Sequence, residues 1–465
     1  MHRHRINRRT FFRWSALTGG SVLLAACGAA APTTDQPTAV GAGVPAASTA
    51  APAMDGGNIT LNVLWENWGD IYNGLMKVVG ENFTKENPSI NLEWNFDPDW
   101  VTKLTTLVAA QMQPDVTLMR PAPLANFAAK NTLVDLDEQV KIAGVQREDF
   151  VTPLWDSGFF NGKQYALPGG ADFWCLFYSK DVYREVGLDP EKPPTTFDEL
   201  IEHSQEILQR DAAGDIQRIG YNPSAAWFVN WAYIFGGKFY DEASGKITAN
   251  DPANVEALAR LQAYVKYLDV NKLAAFNQRP GTFEAGNPFS TKQAAFIIDG
   301  FWTYEALDQH APDIDYAVTF WPTLKGAEAE RANYVVGGWQ VALPAGAKHA
   351  DDAWKFLRYG FIDKSAEMGY STLNGPCVKS RFQAWEDGLR AKMGSNNRMA
   401  PYLRMFTQTG EFATKFFPLM PVQQFYLDEL NRIYDLVMRE EMTPQSGLDE
   451  VTKNVQTELD KALKG

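Results

Sequence analysis

The sequence predicts an α/β protein with enough chain for two lobes. Three observations carry that reading. A strand–helix–strand unit opens the folded body, the same alternation recurs further along, and about 400 residues follow residue 57, more than one hydrophobic core sustains.

The chain begins with a segment that is not part of that body. Arg3, Arg5, Arg8, Arg9 and Arg13 precede an apolar run from Trp14 to Ala26 with no acid among them, the pattern of a signal peptide over residues 1–26. The run falls short of the ~20 apolar residues that span a bilayer. Asn7-Arg8-Arg9-Thr10-Phe11-Phe12-Arg13 resembles a twin-arginine export motif, and Leu24-Ala25-Ala26-Cys27 resembles a lipobox, which implies lipidation of Cys27. Residues 27–57 are mostly Ala, Gly, Pro, Ser and Thr and lack apolar periodicity, so they are read as a tether with an r.m.s. span of roughly 30 Å. This organisation predicts a body held to the outer face of a membrane by an N-terminal lipid anchor, facing a periplasm or the medium.

The body's first elements follow from residue spacing. Ile59, Leu61, Val63 and Trp65 alternate with other residues, as do Ile90, Leu92, Trp94 and Phe96, and each run predicts a strand. Between them Ile71, Leu75, Val78, Val79 and Phe83 form a helical face, with Asp70 as the expected cap and Asn87-Pro88 as the stop. A second helix from Trp100 to Met112 leads to a short strand at Pro114–Met119. Thr196 and Glu199 form a capping box ahead of another helix. Helical faces recur at 255–268, 350–361, 425–438 and 448–463, with strands expected at 294–298, 316–320 and 334–343.

Charge and motif content narrow the function. The formal net charge of −13 includes the five signal-peptide arginines, and without them it falls to −18, which argues against nucleic acid and against a multiply anionic ligand. His203, His310 and His349 are scattered, and Cys175 and Cys377 have no metal-ligand spacing, so no metal or cofactor is expected and Cys175 is read as a buried thiol. The chain has no GxxxxGK[ST] loop, GxSxG elbow or GxGxxG after a strand, and it is not expected to be an enzyme.

The order of several short segments resembles extracellular solute-binding protein family 1, the maltose-type binding proteins of ABC importers. These are Lys103-Leu104 leading to Gln113-Pro114-Asp115-Val116, Leu133-Val134-Asp135-Leu136, the run from Gly162 to Pro168, the run from Leu176 to Asp181, the run from Pro193 to Leu200, Lys292-Gln293-Ala294-Ala295-Phe296, Asp299-Gly300-Phe301-Trp302, and Ala353-Trp354-Lys355-Phe356-Leu357. The resemblance implies a periplasmic-binding-protein (Venus flytrap) fold with a hinge and a ligand cleft between lobes. Residues 58–164 and 323–368 would form the first lobe and 165–322 and 369–465 the second, with hinge strands near Tyr165 and Pro322. It also implies a monomer that binds a mono- or oligosaccharide and delivers it to the permease subunits of the importer.

Sugars present hydroxyls that suit Asp, Asn and Arg, and apolar faces that suit flat rings. The candidate ligand residues are therefore Trp65, Asn67 and Trp68 at the end of the first strand, Arg120 after the third, and Asp172 and Trp174 beside the Gly169-Gly170 pair. The resemblance implies a ligand-facing carboxylate at Asp172 and stacking rings at Trp227, Trp231 and Trp302, and Asp299 and Gly338 with Trp339 complete the set. The remaining tryptophans Trp94, Trp155, Trp321, Trp354 and Trp385 are assigned to packing. A polyamine or glycerol phosphate ligand, and a carbohydrate-active hydrolase using Asp172 and Asp299, are the competing readings.

Overall fold

The computed structural model describes residues 58–463 apart from 283 and 395, so the expected signal peptide, lipobox and tether lie outside the described residues. The opening unit folds as its periodicity predicts. Strands β1 (Ile59–Glu66) and β2 (Ile90–Asp97) pair in parallel from Ile59↔Ile90 to Glu66↔Asp97. Helix α1 (Asp70–Glu86) connects them and buries Met76, Val79 and Phe83. Asp70 does not cap this helix: it is the first helical residue, where its charge faces the dipole's positive end, and Gly69 occupies the cap position at φ 87°. The turn before it is shaped by side-chain amides. Asn67 Oδ1 accepts from Gly69 N–H (3.0 Å) and from Asn73 Nδ2 (2.8 Å), and Asn73 Oδ1 accepts from Trp68 N–H (3.2 Å).

Helix α2 (Trp100–Ala109) leads to β3 (Val116–Met119), parallel to β1. Asp115 fastens this junction, accepting from Asn62 N–H at 2.9 Å and His349 N–H at 3.0 Å. Strands β4 (Ala166–Asp172) and, much later, β8 (Gly337–Ala342) complete a five-stranded sheet in the order β2-β1-β3-β8-β4, with β8 antiparallel to both neighbours. The second lobe is built on an antiparallel sheet of β5 (Cys175–Ser179), β6 (Phe296–Asp299) and β7 (Tyr316–Thr319), in the order β6-β5-β7. Around it lie the capped helix Phe197–Ile207, where Thr196 Oγ1 accepts from Glu199 N–H, and the helices Pro252–Leu268, Gln423–Met438 and Pro444–Ala462.

The crossings between lobes fall later in the chain than expected. Strand β4 stays paired with β8 through Asp172↔Gly337, so the first crossing is at Phe173-Trp174 rather than near Tyr165. The return follows Val336 rather than Pro322, because residues 332–336 remain bonded to the 414–415 segment of the second lobe. Gly375 then exchanges both backbone bonds with Ala171, each 2.9 Å, laying a third connection beside β4. Cys175 and Cys377 are both buried and unbonded to each other, and burial pushes the Cys175 thiol up to about 12. Among the described residues no helix is long and apolar enough to cross a membrane, and no cluster of His, Cys, Asp and Glu could hold a metal ion.

Candidate functional site

Sheet topology brings four strand ends to one edge. Strands β1, β3 and β4 run parallel and finish at Glu66, Met119 and Asp172, while antiparallel β8 begins there with Gly337. The carboxyl ends of parallel strands are where open α/β sheets leave a crevice. Opposite, in the second lobe, β6 ends at Asp299 and the chain turns through Gly300 to Trp302. Between the two edges is a cavity of about 350 Å³ lined by Trp68, Tyr72, Arg120, Asp172 and Trp339 from the first lobe, Asp299 and Trp302 from the second, and Thr372 and Asn374 from the third connection.

Its aromatic walls are held by glycines that permit close approach. A Cβ at Gly169 would sit 2.1 Å, and one at Gly170 2.6 Å, from the Trp339 ring, so only this pair lets the indole lie on β4. Trp339 is 2% exposed and packs edge-on against Trp65 (centroids 5.2 Å) and Phe361 (5.8 Å), and tilted against Trp68 (5.6 Å). Gly300 plays the same part for Trp302, whose ring would lie 2.3 Å from an added Cβ.

The polar groups form a graded field. Arg120 donates to Glu66 Oε2 from Nη2 (2.8 Å) and Nε (3.2 Å), and its guanidinium lies 5.9 Å from the Trp68 ring centroid. Asp172 accepts from Asn374 Nδ2 at 3.2 Å. Burial raises the Asp172 carboxyl to about 6, with Arg120 pulling it down and Asp299 and Glu66 adding to the rise. Burial likewise raises Asp299 to about 6, opposed by the Gly300 N–H donating to it at 2.8 Å. The Tyr72 phenol is pushed above its usual range by burial first, then by Asp299 and Glu305. Two partly desolvated carboxylates, a cation and an amide thus surround a space walled by three indoles.

Six of the twelve expected ligand residues line this cavity: Trp68, Arg120, Asp172, Asp299, Trp302 and Trp339. Five are corrected. Trp65 and Trp231 have no exposed surface; Trp65 is sandwiched in the first core and Trp231 donates Nε1–H to Tyr221 Oη at 2.8 Å. Asn67 is committed to its turn, and Gly338 is a packing glycine whose Cβ would lie 2.4 Å from the Gly170 carbonyl oxygen. Trp174 stands outside the cavity wall, edge-on to Trp227 at 5.2 Å. Trp227 lines a separate cavity in the second lobe. Tyr72, Thr372 and Asn374 were not anticipated. Tyr72, one turn past Trp68 on a helix leaving a strand end, had a usable signal; the other two had none, because only the third connection brings them in.

Two α/β lobes joined by crossing segments, with a walled cavity built from both, define the architecture of a solute-binding protein. A model of the bacterial extracellular solute-binding protein family matches residues 65–366, and the chain belongs to that family. Diacetylchitobiose binding protein DasA of Streptomyces coelicolor is 27% identical over 59% of this chain and 62% of its own length, so the chain spans less than two thirds of that relative. The arabinooligosaccharide-binding protein of Bacillus subtilis is 22% identical over 77% of this chain and 86% of its own length. The fold is shared with CpMnBP1 with mannobiose bound (TM-score 0.71, 20% identity, 86% of this chain and 100% of that one). It is also shared with Lmo0181 of Listeria monocytogenes in complex with cycloalternan (TM-score 0.70, 18% identity, 87% and 99%).

Proposed function

We propose that this protein captures a carbohydrate in the cavity between its lobes and delivers it to the permease of an ABC importer, acting as a binding protein and not as an enzyme. The observation that carries this reading is the cavity's composition: Trp68 and Trp302 offer apolar ring faces, while Asp172, Asp299, Arg120 and Asn374 offer hydroxyl partners. Its volume of about 350 Å³ suits a small molecule. Relatives described as binding diacetylchitobiose and arabino-oligosaccharides support a sugar. Because both lobes contribute walls, a bound sugar stabilises the closed arrangement by its differential affinity for it.

The lipobox at Leu24-Ala25-Ala26-Cys27 supports attachment to the membrane's outer face through Cys27. A thermal-shift and calorimetric screen tests the ligand class, using maltose, mannobiose, mannotriose, diacetylchitobiose and arabino-oligosaccharides with their component monosaccharides. A sugar at 100 times its Kd adds about 2.7 kcal/mol of stability. Silence across the panel, with a shift from spermidine or glycerol phosphate, would replace the carbohydrate reading. Turnover of aryl glycosides would replace the binding reading.

A further inference from the structure

Glu66 does not line the cavity, yet it holds a residue that does. Strands β1 and β3 are parallel neighbours in the register Leu64↔Thr117, which brings Glu66, the last residue of β1, beside Arg120, the first after β3. Both Arg120 hydrogen bonds converge on Glu66 Oε2, at 2.8 and 3.2 Å, and they keep the guanidinium 5.9 Å from the Trp68 ring centroid. Across the sheet stands a second carboxylate. Strand β8 separates β3 from β4, but it opens with Gly337, which pairs with Asp172, and a Cβ at Gly337 would lie 3.3 Å from Asp172 Oδ2. The glycine thus gives the Asp172 carboxylate room beside β8, on the wall of the cavity it shares with Arg120. Asp172 Oδ1 accepts from Asn374, and Oδ2 accepts from none of the described residues. Arg120 is the single cation of the cavity lining among the described residues, and although its charge is felt at Asp172 its ion pair is with Glu66.

We infer that Glu66 is a positioning residue for ligand capture: by holding the Arg120 guanidinium beside Trp68 it keeps the cavity's cation away from Asp172, whose carboxylate is left free to accept a sugar hydroxyl. This rests on the carbohydrate reading above. The reason lies in competition between two anions for one fork of donors. A guanidinium and a carboxylate make paired, charge-assisted hydrogen bonds that are stronger than those a neutral hydroxyl makes. Without Glu66, Arg120 turns to Asp172, the other carboxylate within its field, and the pair closes on itself. A sugar must then break an ion pair to reach either partner. With Glu66 in place, Arg120 is ordered before the sugar arrives and Asp172 Oδ2 stays open, so less of the binding energy goes into rearranging the site.

The test is calorimetry on the full-length protein with the tightest sugar of the panel above, comparing wild type, Glu66→Ala, Glu66→Gln, Arg120→Ala and the Glu66→Ala/Arg120→Ala double variant, with circular dichroism to show that each is folded. Glu66→Ala should lose on the order of tenfold in affinity, and Glu66→Gln, which keeps an accepting oxygen for Arg120, should lose less. In the Arg120→Ala background, adding Glu66→Ala should change nothing further, because nothing is left to position. A pH series separates this from a structural role. The charged and titratable groups facing Asp172 are Arg120 and Glu66 from the first lobe, Asp299 from the second and the Cys377 thiol of the third connection. Wild-type affinity should fall as pH drops through about 6, where Asp172 and Asp299 take up protons. In Glu66→Ala the fall should begin at lower pH, because Arg120 now holds Asp172 ionised. A wild type that binds sugar while Glu66→Ala binds it equally well, loses as much again without Arg120, or keeps the wild-type pH profile overturns the role of Glu66 and leaves the carbohydrate reading standing. A wild type that binds no sugar overturns both.

Discussion

Trp302 and Trp339 line the same cavity, yet replacing each with alanine should have different consequences, and the structure says why. Trp302 is half-buried, rests on Gly300 at the start of a helix in the second lobe, and lines the cavity. Its removal should cost about 1–3 kcal/mol of ligand binding, roughly 5- to 150-fold in Kd, and little stability. Trp339 is 2% exposed and interlocks with Trp65, Trp68 and Phe361 over Gly169 and Gly170. Truncating a side chain so enclosed leaves a void that the surrounding rings cannot fill, at a cost of about 3–5 kcal/mol of folding stability. The assay is urea unfolding of each variant without ligand, followed by calorimetry with whichever sugar the screen selects. Trp339→Ala should unfold at markedly lower urea with an unchanged slope, whereas Trp302→Ala should overlay the wild type and lose only affinity. A Trp339→Ala protein as stable as wild type, or a Trp302→Ala protein with unchanged affinity, would refute the assignment of one ring to the core and the other to the ligand.

Three further outcomes follow from the same geometry. Gly300→Ala should weaken sugar binding about as much as Trp302→Ala while the protein stays folded, because the new methyl would lie 2.3 Å from the indole and must displace it; calorimetry beside circular dichroism checks this. Asp172 and Asp299 each rise to about 6 in the fold from an ordinary value of 3.8, so between about pH 4 and 6 the folded state holds protons that the unfolded chain has released. Their contribution to stability is therefore lost as pH rises through 6, and Asp172→Asn or Asp299→Asn should raise the unliganded melting temperature at pH 7, an effect that shrinks towards pH 4; no gain at pH 7 would contradict the desolvation of these carboxylates. Finally, a neutral sugar held by rings and hydrogen bonds should show a Kd nearly flat from 50 to 500 mM salt, whereas a steep loss would point to a cationic ligand.

The local elements of this protein are legible because their determinants are local. The alternation in Ile59–Glu66 and Ile90–Asp97, the capping box at Thr196 and Glu199, and the apolar faces of the long helices depend on neighbours within a few residues, and the structure places strands and helices there. The ends of elements were less legible. Asp70 has the chemistry of a cap, but the Asn67–Asn73 amide bonds close the turn one residue earlier.

What the sequence could not decide is which face of an aromatic ring is left for a ligand. Trp65 and Trp68 are three residues apart with the same composition around them, and one is sealed in the core while the other lines the cavity. Trp227 and Trp231 sit one helical turn apart and separate in the same way. Thr372 and Asn374 reach the site only because Gly375 pairs with Ala171 across more than two hundred residues of chain. Amino-acid pattern determined the α/β class, the positions of the elements and the kinds of side chain available at strand ends. Only the tertiary structure decided which of them share one cavity, because burial and long-range pairing are set by where segments distant in sequence come to rest against one another.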